Sequence, residues 1–193
     1  MHFIPIFNFQ ETSVLWSVCY PEDQIEDNLK DVYSILMDEL WSDVLYLFEF
    51  IKKEIKTEGY DASFWNRMSI QEIIDKILDE VKIFDEELSY VESLDQKNAS
   101  RRLDKIFVKL HQNIYSLNST NDSHRKARPN INKSIIRLYG IELSDKTIII
   151  TGGTLKLKLK MVGEHFDKEI RNLKRVEAYL KSQGIIDRNG LIE

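Results

Sequence analysis

"SIIRLYGIELSDKTIIITGGTLKLKLK", residues 134–160, is the stretch on which the fold class of this chain turns. From Ser134 to Leu143 the run reads as an extended strand. Its period of two places Ile135, Arg137, Tyr139 and Ile141 on one face and Ile136, Leu138, Gly140 and Glu142 on the other. "SDK" at 144–146 is a turn, and "TIIIT" at 147–151 is the unbroken branched run of a strand covered on both faces. Gly152 and Gly153 then suit a bulge or kink where the chain leaves the sheet. They do not make a triphosphate loop, because the spacing G-x-x-x-x-G-K-[ST] is absent. Beyond them Leu155, Leu157 and Leu159 alternate with Lys156, Lys158 and Lys160, which predicts a cationic sheet edge or an anion-binding ridge.

Two strands alone are marginal, so this hairpin needs neighbours. "HFIPIFNF" (2–9) and "SVLWSVCY" (13–20) are aromatic and branched enough to supply them, with Pro5 suited to an edge strand. The segment between reads as helix. Ile25, Leu29, Val32, Leu36, Leu40, Val44, Phe48, Ile51 and Ile55 recur every three or four residues. A single helix of that length would run about 50 Å at 1.5 Å per residue, so a break is expected near "WSDV" (41–44), with Ser42 or Asp43 as the new N-cap.

Gly59 suits a left-handed stop, and Ser69 with Glu72 forms a capping box. Behind that box Ile70, Ile73, Ile74, Ile77, Val81, Phe84, Leu88 and Val91 make an apolar stripe. Asp79, Glu80, Asp85, Glu86 and Glu87 fall largely off it, where a solvated face is expected. A third helix is expected over about 100–111 with Leu103, Ile106, Phe107 and Leu110 inward. A final one is expected over about 166–182 with Ile170, Leu173, Val176 and Leu180 inward and Gly184 as its stop. The expectation is an α+β fold, a small antiparallel sheet of N-terminal strands and C-terminal hairpin packed with several helices.

With 193 residues, 42% hydrophobic and 31% charged, the composition is that of a folded chain and not a disordered one. No apolar run approaches the roughly 18–20 residues needed to span a bilayer, and "MHFIPIFNF" lacks the basic start of a signal peptide. No membrane association and a cytoplasmic location are therefore expected. The lone cysteine, Cys19, lies in an apolar run and reads as a small buried hydrophobe. No cofactor or metal site is expected.

The net charge of −5 conceals an asymmetry. Residues 1–96 carry 22 acidic and 7 basic side chains (−15), and residues 97–193 carry 10 and 20 (+10). The basic half calls for an acidic partner, either nucleic acid or the chain's own acidic half. "NSTNDSHRKARPNINK" (118–133) reads as a polar loop that gathers His124, Arg125, Lys126 and Arg128, long cations able to wrap a phosphate backbone.

The order of these parts carries a resemblance. A helix with "LDKIFVKL" (103–110), a basic loop, a strand "IIRLYGI" (135–141), a turn, a strand "IIIT" (148–151) and a lysine-rich exit resemble the RelE/ParE superfamily of bacterial toxins, including its HigB and phage Gp49-like branch. The likeness covers residues 98–183 of a single α+β domain spanning 1–193, with 23–96 as an acidic helical elaboration. It implies a toxin-like module of a bacterial or phage toxin-antitoxin or defence system that binds RNA and acts as a metal-independent endoribonuclease. RNA or the ribosome and a cognate antitoxin protein are the implied partners.

Residue by residue, the resemblance implies catalytic roles for Lys126, Arg128, Arg137, Lys156 and Lys158. His165 is the nearest candidate for the family's terminal acid, and Arg125, Tyr139 and Lys160 would contact RNA. ParE members share the fold without cutting RNA. The alternative expectation is therefore a non-catalytic interaction or regulatory protein whose acidic helices, around Asp79 and Glu86, bind a basic partner.

Overall fold

The apolar N-terminal segments and the C-terminal hairpin meet in one sheet. The computed structural model describes residues 1–7, 13–23, 30–110, 122–158 and 164–192, the side chains of Glu164 and His165 excepted. Within these, six strands take the order β1-β2-β6-β5-β4-β3: β1 His2–Pro5, β2 Leu15–Cys19, β3 Phe107–Lys109, β4 His124–Ala127, β5 Ile136–Glu142 and β6 Ile148–Leu155. Pro5 lies in edge strand β1, where a missing N–H leaves no gap in the sheet interior. The fold class is α+β.

The sheet is mixed and not purely antiparallel. β2 runs parallel to β6, with Leu15, Trp16 and Ser17 opposite Ile148, Ile149 and Ile150, while every other pairing is antiparallel. A parallel pair needs a long crossover, and the whole helical segment lies between β2 and β6. "HRKA" (124–127) is strand and not loop. It fills the space between β5 and β3, and Phe107–Lys109 leaves the third helix early to pair with it.

The helices follow their caps. Val32–Ser34 (α1) starts on Asp31, whose carboxylate accepts from the Tyr33 and Ser34 N–H groups, and continues as a π turn over Ile35–Leu40. The break falls at the expected place: Asp43 accepts from the N–H groups of Leu45 and Tyr46 and opens α2 (Val44–Glu54). The earlier stripe positions Ile25 and Leu29 lie outside the described residues. A short α3 (Ala62–Trp65) precedes α4 (Ile70–Glu92), which opens on the Ser69–Glu72 capping box. Asp95 caps α5 (Gln96–Ile106), four residues ahead of the expected start.

α6 (Glu164–Gln183) ends in a Schellman turn. Gly184 has φ 69°, its N–H donates to Lys181 O, and the Ile185 N–H reaches Leu180 O at 2.9 Å. A short α7 (Asn189–Ile192) follows.

The sheet is covered on both faces. Helices α1 to α5 bury one face around Leu36, Trp41, Leu47, Phe84, Leu103 and Leu138. α6 buries the other around Tyr139, Ile149, Phe166, Leu173 and Val176. Cys19 is fully buried, and burial pushes its thiol up to about 11, with Asp31 adding to the effect.

Two glutamates of α4, twelve residues apart, attach this helix to the sheet, Glu80 fully buried and Glu92 half-buried. One oxygen of Glu92 accepts from Ser13 Oγ (2.9 Å) and from the N–H groups of Val14 (3.1 Å) and Leu15 (2.6 Å), where β2 begins. One oxygen of Glu80 accepts from Ser134 Oγ (2.9 Å) and the N–H groups of Ile135 (2.7 Å) and Ile136 (3.1 Å), where β5 begins. Its other oxygen pairs with Lys76 at 2.8 Å. Glu80 thus corrects the expectation of a solvated face. Asp85 departs from it too, since it accepts from the Tyr33 hydroxyl. Each carboxylate satisfies strand-end donors that burial would otherwise strand.

Candidate functional site

The sheet's register gathers cations that the sequence keeps apart. Lys126, Tyr139 and Gly152 stand in one cross-strand row on the α6 face, and Arg137 and Thr154 stand opposite each other in the next row on that face. Arg128 follows β4, and Lys156 continues β6, its N–H bonded to Ile135 O at 2.8 Å. Lys126 is half-buried, and its ammonium is pushed down first by burial and then by Arg137, Arg128 and Lys156. Lys156 is also half-buried and lowered first by burial, then by Arg137, Lys133 and Arg128, with Asp61 opposing. Four of the residues singled out by the resemblance, Lys126, Arg128, Arg137 and Lys156, therefore share one electrostatic site.

Their exposure differs. Arg128 is exposed, whereas Arg137 retains only 6% exposure, its Nη1 donating to Ser134 Oγ (3.1 Å) and Ile136 O (2.5 Å). Arg137 is a fixed charge beneath the surface, and Lys126, Arg128 and Lys156 form the part that solvent reaches. Among the described residues none of those three forms an ion pair with a carboxylate.

Other candidates are placed elsewhere. Lys158 turns to Glu54 of α2 at 3.5 Å, in a backbone bridge with Tyr60, and does not extend the ridge. Arg125 is one residue from Lys126, so strand alternation sends it to the opposite face. There it is buried in a fork with Glu142, Nε to Oε2 at 2.9 Å and Nη2 to Oε1 at 2.8 Å, and also donates to Asp122 O. Tyr139 is fully buried against Phe166, ring centroids 6.0 Å apart. His124 is buried beside Glu177, Nε2 to Oε2 3.0 Å. Lys160 and the His165 side chain lie outside the described residues.

The two halves of the chain are stitched by ion pairs: Arg102 with Glu87 (2.8 Å), Lys133 with Asp61 (3.5 Å), Lys158 with Glu54 (3.5 Å) and Arg175 with Glu22. Part of the charge asymmetry is thus satisfied internally. Asp75, Asp79 and Glu86 do form an exposed acidic line on α4.

A second feature adjoins the cationic row, and sequence reasoning missed it. β2 leaves β6 after Ile150, and a bulge at Thr151 shifts the β5–β6 register between Tyr139 and Gly140. The β6 strand continues straight through both glycines to Leu155, so they do not mark its exit from the sheet. Each makes room for a side chain. A Cβ on Gly152 would lie 1.6 Å from Oε2 of Glu169, and one on Gly153 would lie 2.7 Å from Trp41 Cη2 and 2.9 Å from Leu36 Cδ1.

The Glu169 carboxyl therefore rests against the backbone of β6. It is 6% exposed, and burial pushes it up to about 8 although Lys168, Asn172 and the Gly153 N–H favour the charged form. Its Oε2 has no hydrogen-bond partner among the described residues.

A cleft of about 600 Å³ opens at this point, between α6 and the segment 30–50. Gly152, Gly153, Thr154, Glu169 and Asn172 line one side, and Leu36, Trp41, Tyr46 and Phe50 the other. Among the described residues no group of three or more His, Cys, Asp or Glu side chains converges to hold a metal ion, and no helix is long and apolar enough to cross a membrane. Comparisons with protein-family models, with curated proteins and with solved structures return no match.

Proposed function

We propose that this chain is an RNA-directed, toxin-like module of RelE/ParE type that grips a phosphate of single-stranded RNA on Lys126, Arg128 and Lys156, with Arg137 beneath. The observation that supports this reading is the convergence of four cations from three chain segments, in which two lysines already lowered by burial are lowered further by their neighbours. Like charges held together cost stability unless an anion visits them, and a phosphodiester is the anion whose geometry several long cations can share. Lys126 and Lys156 release a proton more readily than exposed lysines.

In a cleavage step the ribose 2′-oxygen attacks phosphorus, the 5′-oxygen leaves, and a 2′,3′-cyclic phosphate remains. The cations stabilise the crowded phosphorane, a base takes the 2′ proton, and a lowered lysine hands one to the leaving oxygen.

The test is anisotropy of a labelled RNA oligonucleotide across a salt series, with product analysis on the same samples. Lys126→Ala and Lys156→Ala are each expected to flatten the log K against log salt slope by about 0.7, the value for one single-strand phosphate contact. Binding that ignores salt, or equal slopes in intact and doubly substituted chains, would refute the reading. Cyclic-phosphate products that vanish in the double variant support cleavage, and RNA recovered whole refutes it.

A further inference from the structure

The cleft beside Gly152 has the construction of a ligand site, and nothing in the cationic row accounts for it. It lies where the parallel strands β2 and β6 diverge at their carboxyl ends, a place where open sheets characteristically leave a crevice for ligands. Its walls are flat and aromatic: Trp41, Tyr46 and Phe50, the last two stacked at 6.1 Å with 23° between their planes. Its volume suits a small organic molecule, and it combines apolar walls with one buried acid that has an unpaired oxygen. Thr154 both lines the cleft and stands opposite Arg137, so the cleft and the cationic row share a border.

We propose that the cleft is a nucleobase subsite, taking one base of the RNA whose phosphate lies on the cationic row and presenting the Glu169 carboxyl to that base's hydrogen-bonding edge. The proposal rests on the RNA reading above and names the part of the substrate that the cleft would hold. Aromatic walls stack on any base, because every base has a π-face. The carboxyl adds a filter through its protonation state.

A neutral carboxyl offers one donor beside one acceptor and matches the adjacent donor–acceptor pairs of adenine, cytosine, uracil and guanine alike. An ionised one offers acceptors only and matches the two adjacent donors of guanine alone. The titratable groups bordering the cleft are Lys168 on α6, Glu22 held by Arg175, the Lys30–Glu39 pair (2.5 Å) on the far wall, and the hydroxyls of Tyr20 and Tyr46. Of these charges Lys168 favours the ionised form of Glu169, and burial outweighs it.

The experiment is an NMR titration of the full chain with the four uncharged nucleosides, at pH about 6.5 and about 8.7, beside Glu169→Gln and Glu169→Leu. Glutamine keeps a donor beside an acceptor at every pH, and leucine has neither. In the intact chain adenosine, cytidine and uridine are expected to weaken about fivefold at the higher pH while guanosine holds. Glu169→Gln should bind all four at both pH values, and Glu169→Leu should bind each about tenfold more weakly. A melting curve for each variant confirms that it is folded.

Affinities unchanged by leucine, a pH response identical for all four nucleosides, or no nucleoside binding would each overturn the subsite. Salt-dependent RNA binding without nucleoside binding would overturn the subsite alone. Nucleoside binding without RNA binding would overturn the RNA reading while supporting a base-binding cleft.

Discussion

Replacing Glu169 by glutamine should change how stability depends on pH in a way that isolates this one side chain. Glutamine has the same shape, so the carboxamide fits the space that Gly152 leaves, but it cannot ionise. Burial pushes the Glu169 carboxyl up to about 8, against roughly 4.3 for an unperturbed glutamate in an unfolded chain. Between those values the native state holds a proton that the unfolded chain has released, so stability falls as pH rises. The stabilisation is complete below pH ~4.3 and is lost as pH rises through ~8.

At ~1.4 kcal/mol per pH unit the loss has a ceiling of ~5 kcal/mol, a large part of the 5–15 kcal/mol typical of a domain. The assay is urea unfolding at pH 5, 6.5, 8 and 9 for both proteins. The variant should be the less pH-sensitive of the two, and its advantage should grow across that range and then level off. Parallel stability curves would refute the reasoning, because they would mean that Glu169 ionises in the folded state as easily as in the unfolded one.

Three further outcomes follow from the same geometry. Gly152→Ala should cost ~1–3 kcal/mol, since its Cβ would fall 1.6 Å from Oε2 and displace the Glu169 carboxyl, and the loss should shrink in a Glu169→Ala background; a double-mutant cycle by denaturant unfolding measures that coupling. Glu80→Ala should cost ~3–5 kcal/mol by orphaning Lys76 and three strand-end donors, whereas exposed Glu86→Ala should stay within ~0.5 kcal/mol, as thermal melts would show. Arg125→Ala should destabilise by ~1–3 kcal/mol, since half-buried Glu142 loses its fork and keeps only Lys146, yet leave the RNA salt slope unchanged, in contrast to Lys126→Ala next door.

Local features of this fold were legible because their partners lie within a few residues. Asp43, the Ser69–Glu72 box and Gly184 each act on backbone groups two to five positions away, and the hairpin of β5 and β6 is marked by its own branched residues on either side of a short turn. The buried Cys19 and the edge position of Pro5 follow in the same way from side-chain chemistry. The exit strand was legible only in part: Leu155 and Leu157 are buried as the alternation demands, but Lys158 answers to Glu54, a residue over a hundred positions earlier.

What the chain's order of residues determined was the set of elements, their caps and the supply of cations near the C-terminal end. What only the tertiary structure decided was which of those cations meet. β4 has no apolar signature and becomes a strand because β3 and β5 offer it donors and acceptors, and that pairing sends Lys126 to one face and Arg125 to the other. The parallel run of β2 beside β6 was equally hidden, since alternation carries no direction.

Glu80 reads as a solvated helix charge until its distant partners are known, and Glu92 and Glu169 carry no signal of their own in the sequence. Strand-end N–H groups from elsewhere in the chain draw in Glu80, which is fully buried, and Glu92, which is half-buried, and Glu169 is buried where a glycine in β6 leaves a space the size of its carboxyl. Hydrogen bonding and burial depend on neighbours in space, and a one-dimensional pattern records only neighbours along the chain.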